Sequence, residues 1–151
     1  MDNEGVYILS KELYVEMAHR LGKGYKGKCM NVHGHSWKIT INVIGSKLDS
    51  MGMLVDYKEI KEKLANEVDR LLDHKLVLQK DDPFIPLLKN DTEVFTMDEN
   101  PTSENLARFL FDYLSIIVGL EAPYKIYSIE VGETCTSSCI FTRNSNYYTK
   151  R

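Results

Sequence analysis

Two stretches of alternating apolar and polar residues constrain this chain more than any other feature of its sequence. A period of two residues is typical of a β-strand with one buried face. The first stretch covers residues 13–19, and the second follows a loop rich in glycine and lysine. The apolar positions are Leu13, Val15 and Met17, then Trp37, Ile39, Ile41 and Val43. The sequence therefore predicts two strands of one sheet joined by a wide connection, and such a connection often carries function.

Three of the four histidines occupy positions that this alternation assigns to the buried face. His19 continues the apolar series of the first strand, and His33 and His35 begin that of the second. One histidine in such a place is more often a hydrogen-bonded core residue than a ligand. Three with matched parity predict imidazoles that converge from adjacent strands. Because three protein ligands and an open fourth position are typical of catalytic zinc, these histidines are candidate metal ligands.

Cys29 lies in the glycine-rich loop, four residues before His33 and next to Lys28. A nearby ammonium group favours the thiolate, which is a base or nucleophile near neutral pH. The alternative is a small buried apolar residue, a common environment for cysteine. The polar neighbours of Cys29 favour the reactive interpretation.

Three further residues are candidates for acid–base or binding chemistry. Asp73 precedes His74 at the end of a predicted helix. An aspartate can orient a histidine ring for a proton relay, but a histidine there also interacts favourably with the helix dipole. Glu133 faces inward by strand parity, and a buried carboxylate needs a partner, which a ligand with N–H donors would supply.

Two amphipathic helices follow the first two strands. Asp56, with Glu59 three residues later, forms a capping-box-like start of the first helix. The second opens at residues 101–104, where Thr102 or Ser103 is the predicted N-cap, and Gly119 is well placed to end it. Their apolar stripes are Ile60, Leu64, Val68, Leu71 and Leu72, then Leu106, Leu110, Tyr113, Leu114 and Ile117.

The remaining pattern completes the predicted fold. Residues 80–100 are predicted to be a long loop; Tyr127, Ile129 and Val131 alternate as a third strand; and residues 140–142 form a short fourth strand. The order β-β-α-α-β-β predicts one α+β domain over residues 1–151. Its architecture would be an antiparallel four-stranded sheet with two helices on one face.

The composition limits the cellular compartments and the classes of partner that we expect for this protein. A net charge of −3 over 151 residues gives no reason to expect nucleic acid or membrane as a partner. Three cysteines do not suggest a disulfide framework, and residues 1–10 lack the features of a signal peptide. We therefore expect a cytoplasmic protein. Cys135 and Cys139 offer an alternative, closed structural zinc site, although their spacing is not that of the common Cys-x2-Cys knuckle.

Basic residues concentrate around the first histidine. No acidic residue occurs from Met17 to Leu48. The stretch is either a solvated basic loop or a local positive field that attracts an anionic, for example phosphorylated, small molecule. The candidate anion contacts are Arg20, Lys23, Lys26 and Lys28.

Five sequence blocks, in this order, resemble the 6-pyruvoyl-tetrahydropterin synthase superfamily. They extend from residue 18 to residue 136, and the Cys-x3-His-Gly-His block is the most specific. Within the superfamily, the chain looks most like the bacterial 6-carboxy-5,6,7,8-tetrahydropterin synthases. The blocks are Ala18-His19-Arg20, Cys29-x3-His33-Gly34-His35, Leu72-Asp73-His74, residues 101–105 and Glu133-Thr134-Cys135-Thr136.

The resemblance implies a tunnelling fold, in which trimers close their sheets into a barrel and two trimers stack as a homo-hexamer. It implies a zinc-dependent lyase with 7,8-dihydroneopterin triphosphate as its small-molecule substrate. Acetaldehyde and triphosphate would leave as 6-carboxytetrahydropterin forms, a step of 7-deazaguanine (queuosine) biosynthesis.

The resemblance also implies roles for individual residues. The three histidines would hold zinc, Cys29 would be the base, and Asp73 with His74 would be the complementary acid–base pair. Glu133 would grip the 2-amino group and ring N–H of the pterin. A pterin-pocket block would comprise Thr102, Ser103 and Glu104.

Two other functions remain open. A 6-pyruvoyl-tetrahydropterin synthase, which is a triphosphate lyase, would use the same residues for the shared proton transfers. A non-catalytic binding module stabilised by zinc would need only the ligands. The presence of Cys29 argues against those relatives that carry glutamate at the base position and act more like aldolases.

Overall fold

A six-stranded mixed sheet forms the centre of the computed structural model, which describes residues 5–22, 24–88 and 90–143. Its strands are β1 (Tyr7–His19), β2 (His33–Gly45), β3 (Leu76–Gln79), β4 (Val94–Met97), β5 (Lys125–Thr134) and β6 (Ser137–Phe141). Their order in the sheet is β4-β3-β1-β2-β5-β6. The pairs β1–β2, β2–β5 and β5–β6 are antiparallel, whereas β3 is parallel to β1 and β4 is parallel to β3.

The prediction of a four-stranded antiparallel sheet is therefore wrong, while the α+β class is correct. The two missed strands, β3 and β4, are four residues long each. The first three residues of β3 are all buried, so β3 has no alternation that would distinguish it from the end of a helix. β4 lies within residues 80–100, where proline and scattered acidic residues predict a loop.

The two long strands agree with the predicted alternation. β1 and β2 pair without interruption from Tyr7↔Gly45 to His19↔His33. Val15 and Trp37 face each other on the core side, and neither side chain is exposed to solvent. Burying such side chains contributes roughly 1.5–3 kcal/mol each, which fixes the strand register and the parity of the histidines.

The first helical run consists of α1 (Tyr57–Ile60), a π-helical segment (Lys61–Ala65) and α2 (Asn66–Leu72). Asp56 is the N-cap, since its Oδ1 accepts a hydrogen bond from Lys58 N at 2.7 Å. The extra residue of a π-turn rotates the helix surface, so Leu64 and Ala65 are both buried.

The second helix, α3 (Ser103–Val118), packs on β5 and β6 on the same face of the sheet. Thr102 is its N-cap, accepting from Asn105 N at 3.2 Å. Gly119 ends the helix with a φ of 73°, a left-handed conformation that glycine adopts without strain. Of the helices in the described residues, none combines the length and apolar character of a membrane span.

An irregularity in β5 overturns one detail of the predicted strand. Ser128 pairs with Asn42 and Ile126 with Val43, so Tyr127 is an extra residue in β5. Such a bulge reverses the alternation beyond it. Ile126 is consequently buried and Tyr127 only half-buried, contrary to the predicted inward position of Tyr127.

Candidate metal centre and active site

The ends of β1 and β2 bring three histidines together. His19 lies opposite His33, and the ring centroids of His19, His33 and His35 are 4.5 to 5.4 Å apart. One ligand atom from each of these residues and one from Glu133 all lie within 4.8 Å of one another. We call His19, His33 and His35 the histidine cluster. Together with Glu133, these side chains could hold a metal ion.

Two backbone carbonyl groups determine which ring nitrogens point into the cluster. His19 Nδ1 lies 2.7 Å from Pro101 O, and His33 Nδ1 lies 2.8 Å from Asn31 O. Because a carbonyl oxygen only accepts hydrogen bonds, each Nδ1 carries the proton and each Nε2 presents a lone pair. Histidines that bind metals are typically oriented in this way.

The distances inside the cluster fit a divalent metal. The Nε2 atoms of His19 and His33 are 3.1 Å apart, and in neutral rings with protonated Nδ1 atoms neither Nε2 has a proton to donate. Zinc–nitrogen bonds of about 2.0–2.1 Å in tetrahedral geometry separate two nitrogens by about 3.3 Å. His35 Nε2 is buried and has no hydrogen-bond partner among the described residues, with Glu133 Oε1 at 3.3 Å. Three imidazoles beside a carboxylate are a donor set compatible with zinc.

The surroundings favour the neutral form of His19 and restrict the rotation of two of the rings. His19 is 1 % exposed, and burial lowers its pKa even though the hydrogen bond to Pro101 O acts in the opposite direction. Neutral imidazole is the form that binds metals. Trp37 lies edge-on to His19 and His35, at ring-centroid distances of 4.9 and 5.3 Å, and restricts their rotation.

Glu133 connects the cluster to an open cleft. It is an extra residue in β5 relative to β6, between the pairs Gly132↔Ser138 and Thr134↔Ser137, and its Oε1 lies 3.3 Å from His35 Nε2. The cleft has a volume of about 810 Å³, and both His35 and Glu133 line it. Clefts of this size hold small molecules, so the cluster is open on one side to a ligand.

Cys29 lies in a 3-10 turn (Lys28–Met30) that precedes β2. Its side chain is half-buried, and its carbonyl accepts from Leu21 N at 2.8 Å. A side-chain hydrogen bond with Cys29 raises the pKa of the Tyr25 hydroxyl. Tyr25 therefore stays protonated and can donate to the sulfur.

The other two cysteines are separate from the cluster. Cys135 is exposed, and Cys139 is half-buried with a pKa raised by burial and by the charge of Glu104. In the part of the chain that the structure describes, the one group of side chains that could hold a metal contains neither. The alternative of a closed zinc site built on these cysteines thus has no geometric support.

The Asp73–His74 pair forms a second site at the end of α2. Asp73 Oδ2 lies 2.5 Å from His74 Nδ1, and Asp73 Oδ1 accepts from Glu16 N at 2.8 Å. Burial acts to raise the pKa of Asp73, but these hydrogen bonds outweigh it and lower the pKa below its usual value. His74 has a φ of 57°, uncommon for a residue with a side chain. Across the described ranges, no hydrogen bond or ion pair joins this pair to the histidine cluster.

The block at the start of α3 contributes to the cluster through its backbone. Pro101 supplies the carbonyl that orients His19, and the Thr102 hydroxyl caps the helix. The pKa of Glu104 is lowered by its own backbone N–H and by the hydroxyls of Thr102 and Ser103. Sequence reasoning missed the carbonyl of Pro101, because no side-chain pattern marks a backbone acceptor.

The basic stretch does not form one anion-binding patch. Arg20 is buried, and its Nη1 donates to Asp82 Oδ1 at 2.6 Å, so it is unavailable to the anion that it was predicted to contact. Lys26 and Lys28 are exposed, and Lys23 lies outside the described residues.

Residues 8–144 match the family model of 6-pyruvoyl tetrahydropterin synthase. This match spans most of the chain and includes every residue of the cluster. The chain therefore belongs to the 6-pyruvoyl tetrahydropterin synthase family, and its relatives support a lyase that acts on a small molecule.

Curated relatives make the likeness more specific. The 6-carboxy-5,6,7,8-tetrahydropterin synthase of Haemophilus influenzae is 30 % identical, over 89 % of this chain and 97 % of the relative. That of Synechocystis is 32 % identical, over 88 % and 91 %, and that of Aquifex aeolicus is 29 % identical, over 85 % and 93 %.

Solved structures support the fold. An uncharacterized protein from Wolinella succinogenes superposes with a TM-score of 0.80 at 20 % identity, over 92 % of this chain and 99 % of that protein. The 6-pyruvoyl tetrahydropterin synthase of Caenorhabditis elegans gives a TM-score of 0.69 at 22 % identity, over 95 % and 100 %.

Proposed function

We propose that this protein is a zinc-dependent 6-carboxy-5,6,7,8-tetrahydropterin synthase. It converts 7,8-dihydroneopterin triphosphate to 6-carboxytetrahydropterin with release of acetaldehyde and triphosphate, in the cytoplasm, as a step of 7-deazaguanine (queuosine) biosynthesis. One observation carries the proposal: the Nε2 atoms of His19 and His33 face each other at 3.1 Å with both Nδ1 atoms bound to carbonyls. The relatives that align with most of this chain carry the name of this enzyme.

The histidine cluster would hold zinc through three imidazole nitrogens. Bound zinc supplies Lewis acidity, which lowers the pKa of a substrate hydroxyl and polarises a developing carbonyl. The side of the cluster next to the cleft receives the substrate side chain, since His35 and Glu133 both line that cleft.

Cys29 serves as the base that removes a proton from the substrate side chain. Its half-buried position limits access of water to the sulfur, and the Tyr25 hydroxyl stabilises a thiolate by hydrogen bonding. Loss of this proton leaves negative charge on the substrate, beside the metal site.

The Asp73–His74 pair returns a proton as the complementary acid. Asp73 stays ionised and accepts a hydrogen bond from Nδ1–H of His74, which orients the ring for proton transfer. The His74 side chain is 79 % exposed. Since the pair does not contact the cluster of its own chain, a neighbouring subunit of the proposed hexamer would bring it to the substrate.

Glu133 anchors the pterin by accepting hydrogen bonds from its 2-amino group and ring N–H. Thr102, Ser103 and Glu104 complete the pterin pocket. The lowered pKa of Glu104 keeps its carboxylate ionised and able to accept such hydrogen bonds.

Product identification tests the proposal. The purified protein is incubated with 7,8-dihydroneopterin triphosphate, and the products are analysed by mass spectrometry with a separate assay for acetaldehyde. We expect 6-carboxytetrahydropterin and acetaldehyde in equal amounts. Triphosphate release with a pyruvoyl product would instead identify a 6-pyruvoyl-tetrahydropterin synthase, the alternative favoured by the name of the matching family model.

A further inference from the structure

A buried ion pair lies behind the turn that carries Cys29. Arg20 follows the metal-ligand candidate His19 and is 7 % exposed, and Asp82 is 4 % exposed. Arg20 Nη1 donates to Asp82 Oδ1 at 2.6 Å. Both charges are removed from water, so each depends on the other for stabilisation. The pair joins residues 80–88, distant in sequence, to the strand end that bears the histidine cluster.

Arg20 is also attached directly to the Cys29 turn. The Nε atom of Arg20 donates to Met30 O at 2.8 Å. The backbone N–H of Leu21, which follows Arg20, donates to Cys29 O at 2.8 Å. The following carbonyl, Asn31 O, accepts from His33 Nδ1. Three consecutive carbonyl groups therefore have defined partners, and these fix the backbone between Cys29 and His33.

Asp82 is itself held in one orientation. Its Oδ1 accepts from Phe84 N at 2.8 Å, and the Phe84 ring lies 4.0 Å from the guanidinium carbon of Arg20. Oδ2 is buried against Gly22, where a β-carbon would lie only 3.1 Å from it. Glycine at position 22 thus admits the carboxylate that directs Arg20 onto the Cys29 turn.

We propose that Arg20 and Asp82 are positioning residues that hold Cys29 and His33 in place for the reaction. Residues 80–88 then support the Cys29 turn through Asp82 and Arg20. The assignment rests on the proposed function in taking Cys29 as the base. The arrangement of the turn itself rests on the contacts described above.

The test uses Asp82→Asn in the full chain, with Asp98→Asn as a matched control. Asp98 pairs with Lys80, the first residue of the 80–88 segment, at 3.0 Å, but both side chains are exposed. The rate of alkylation of Cys29 by iodoacetamide is measured as a function of pH by mass spectrometry. The exposed Cys135 serves as the internal reference. The values of kcat and KM are measured separately.

In Asp82→Asn, we expect iodoacetamide to alkylate Cys29 severalfold faster than in the parent and Cys135 at the parental rate. The kcat of this variant should fall about 10- to 100-fold with KM near the parent value, because a small displacement of the base disrupts its alignment. Asp98→Asn should match the parent in every readout. A folded Asp82→Asn protein with parental Cys29 alkylation and kcat would overturn the proposal. A parallel increase at Cys29 and Cys135 would also overturn it, since that indicates general loosening.

Phe84→Leu replaces Asp82→Asn if the latter does not fold, because it leaves both charges paired. Faster alkylation of Cys29 in Phe84→Leu supports the proposal, and a parental rate contradicts it. Alkylation requires no substrate. It therefore tests the positioning role even if the chain turns over no pterin, and a negative result leaves the proposed reaction intact.

Discussion

The histidine cluster and the Asp73–His74 pair place the same kind of side chain in opposite surroundings. His19 is 1 % exposed and binds a backbone carbonyl, and burial lowers its pKa. The His74 side chain is 79 % exposed and binds a carboxylate. A carbonyl oxygen bound to one nitrogen of a buried ring leaves the other nitrogen available to a metal, whereas a carboxylate orients an exposed ring that solvent can reach. In the proposed mechanism, this difference separates a metal ligand from a proton carrier.

Of the changes that test this difference between the two sites, metal removal should have the largest effect on turnover. Dialysis against a chelator should abolish turnover, and added zinc should restore it. The fold should persist, since buried apolar residues on both helical runs and the sheet form the core. Metal content, far-ultraviolet circular dichroism and activity are measured on one sample. Unfolding on chelation would instead favour the non-catalytic binding module, because a structural metal contributes folding energy directly.

Substitution of His74, the exposed member of the pair, should separate proton transfer from metal binding. His74→Gln should lower kcat about 10²- to 10⁴-fold, the usual contribution of a general acid or base, and leave the metal content unchanged. His35→Ala is the contrasting variant and should lose the metal. A His74→Gln protein with parental kcat would remove His74 from the mechanism.

Glu133 contacts the histidine cluster but has a partly exposed side chain, and one isosteric change can decide its role. Glu133→Gln should raise KM about 10- to 100-fold, since a charge-assisted hydrogen bond contributes about 1.5–3 kcal/mol. We expect unchanged metal content, as a pterin anchor requires. Reduced zinc affinity in this variant would make Glu133 a fourth metal ligand instead.

The smallest effect should come from a hydrogen-bond network on the surface of α2 that includes no residue of either site. Glu67 accepts hydrogen bonds from Arg70 and Tyr113, which lower its pKa to about 2. Because the folded pKa lies below the usual 4.5, the stabilisation is present above about pH 4.5 and is lost as the pH falls toward 2.

Glu67→Gln should therefore lower Tm by no more than about 2–4 °C at pH 7, and the difference from the parent should narrow at low pH. Thermal unfolding of the variant and the parent at pH 7 and at low pH measures this difference in Tm. A difference that is independent of pH would show that packing, and not the charge of Glu67, is responsible. Activity per folded molecule should not change.

Sequence reasoning located the histidine cluster because strand parity is a local property. A period of two places His19, His33 and His35 on the core face once Val15 and Trp37 are assigned to it, and the register His19↔His33 follows that assignment. Parity failed at Tyr127, since a bulge in β5 reverses the alternation. Parity succeeded at Glu133, which lies beside the cluster as its inward position predicts, because β5 keeps a regular register with β2 from Ile129 to Gly132.

Arg20 illustrates a different limit. In sequence it belongs to a basic loop and predicts an anion contact, but its partner Asp82 is 62 residues away. β3 and β4 were missed for a related reason: each is four residues long, and neither shows a clear alternation. Pairing between distant segments leaves no periodic signal in either one.

The amino-acid sequence by itself determined the α+β class, the helix caps at Asp56 and Gly119, and the side chains that can form a metal site, because these follow from neighbours a few residues apart. Only the tertiary structure decided the six-strand order and the carbonyls of Pro101 and Asn31 that orient the rings. It also decided the burial of Arg20 against Asp82. Each of these depends on which distant backbone comes close, and that is set by packing of the whole core.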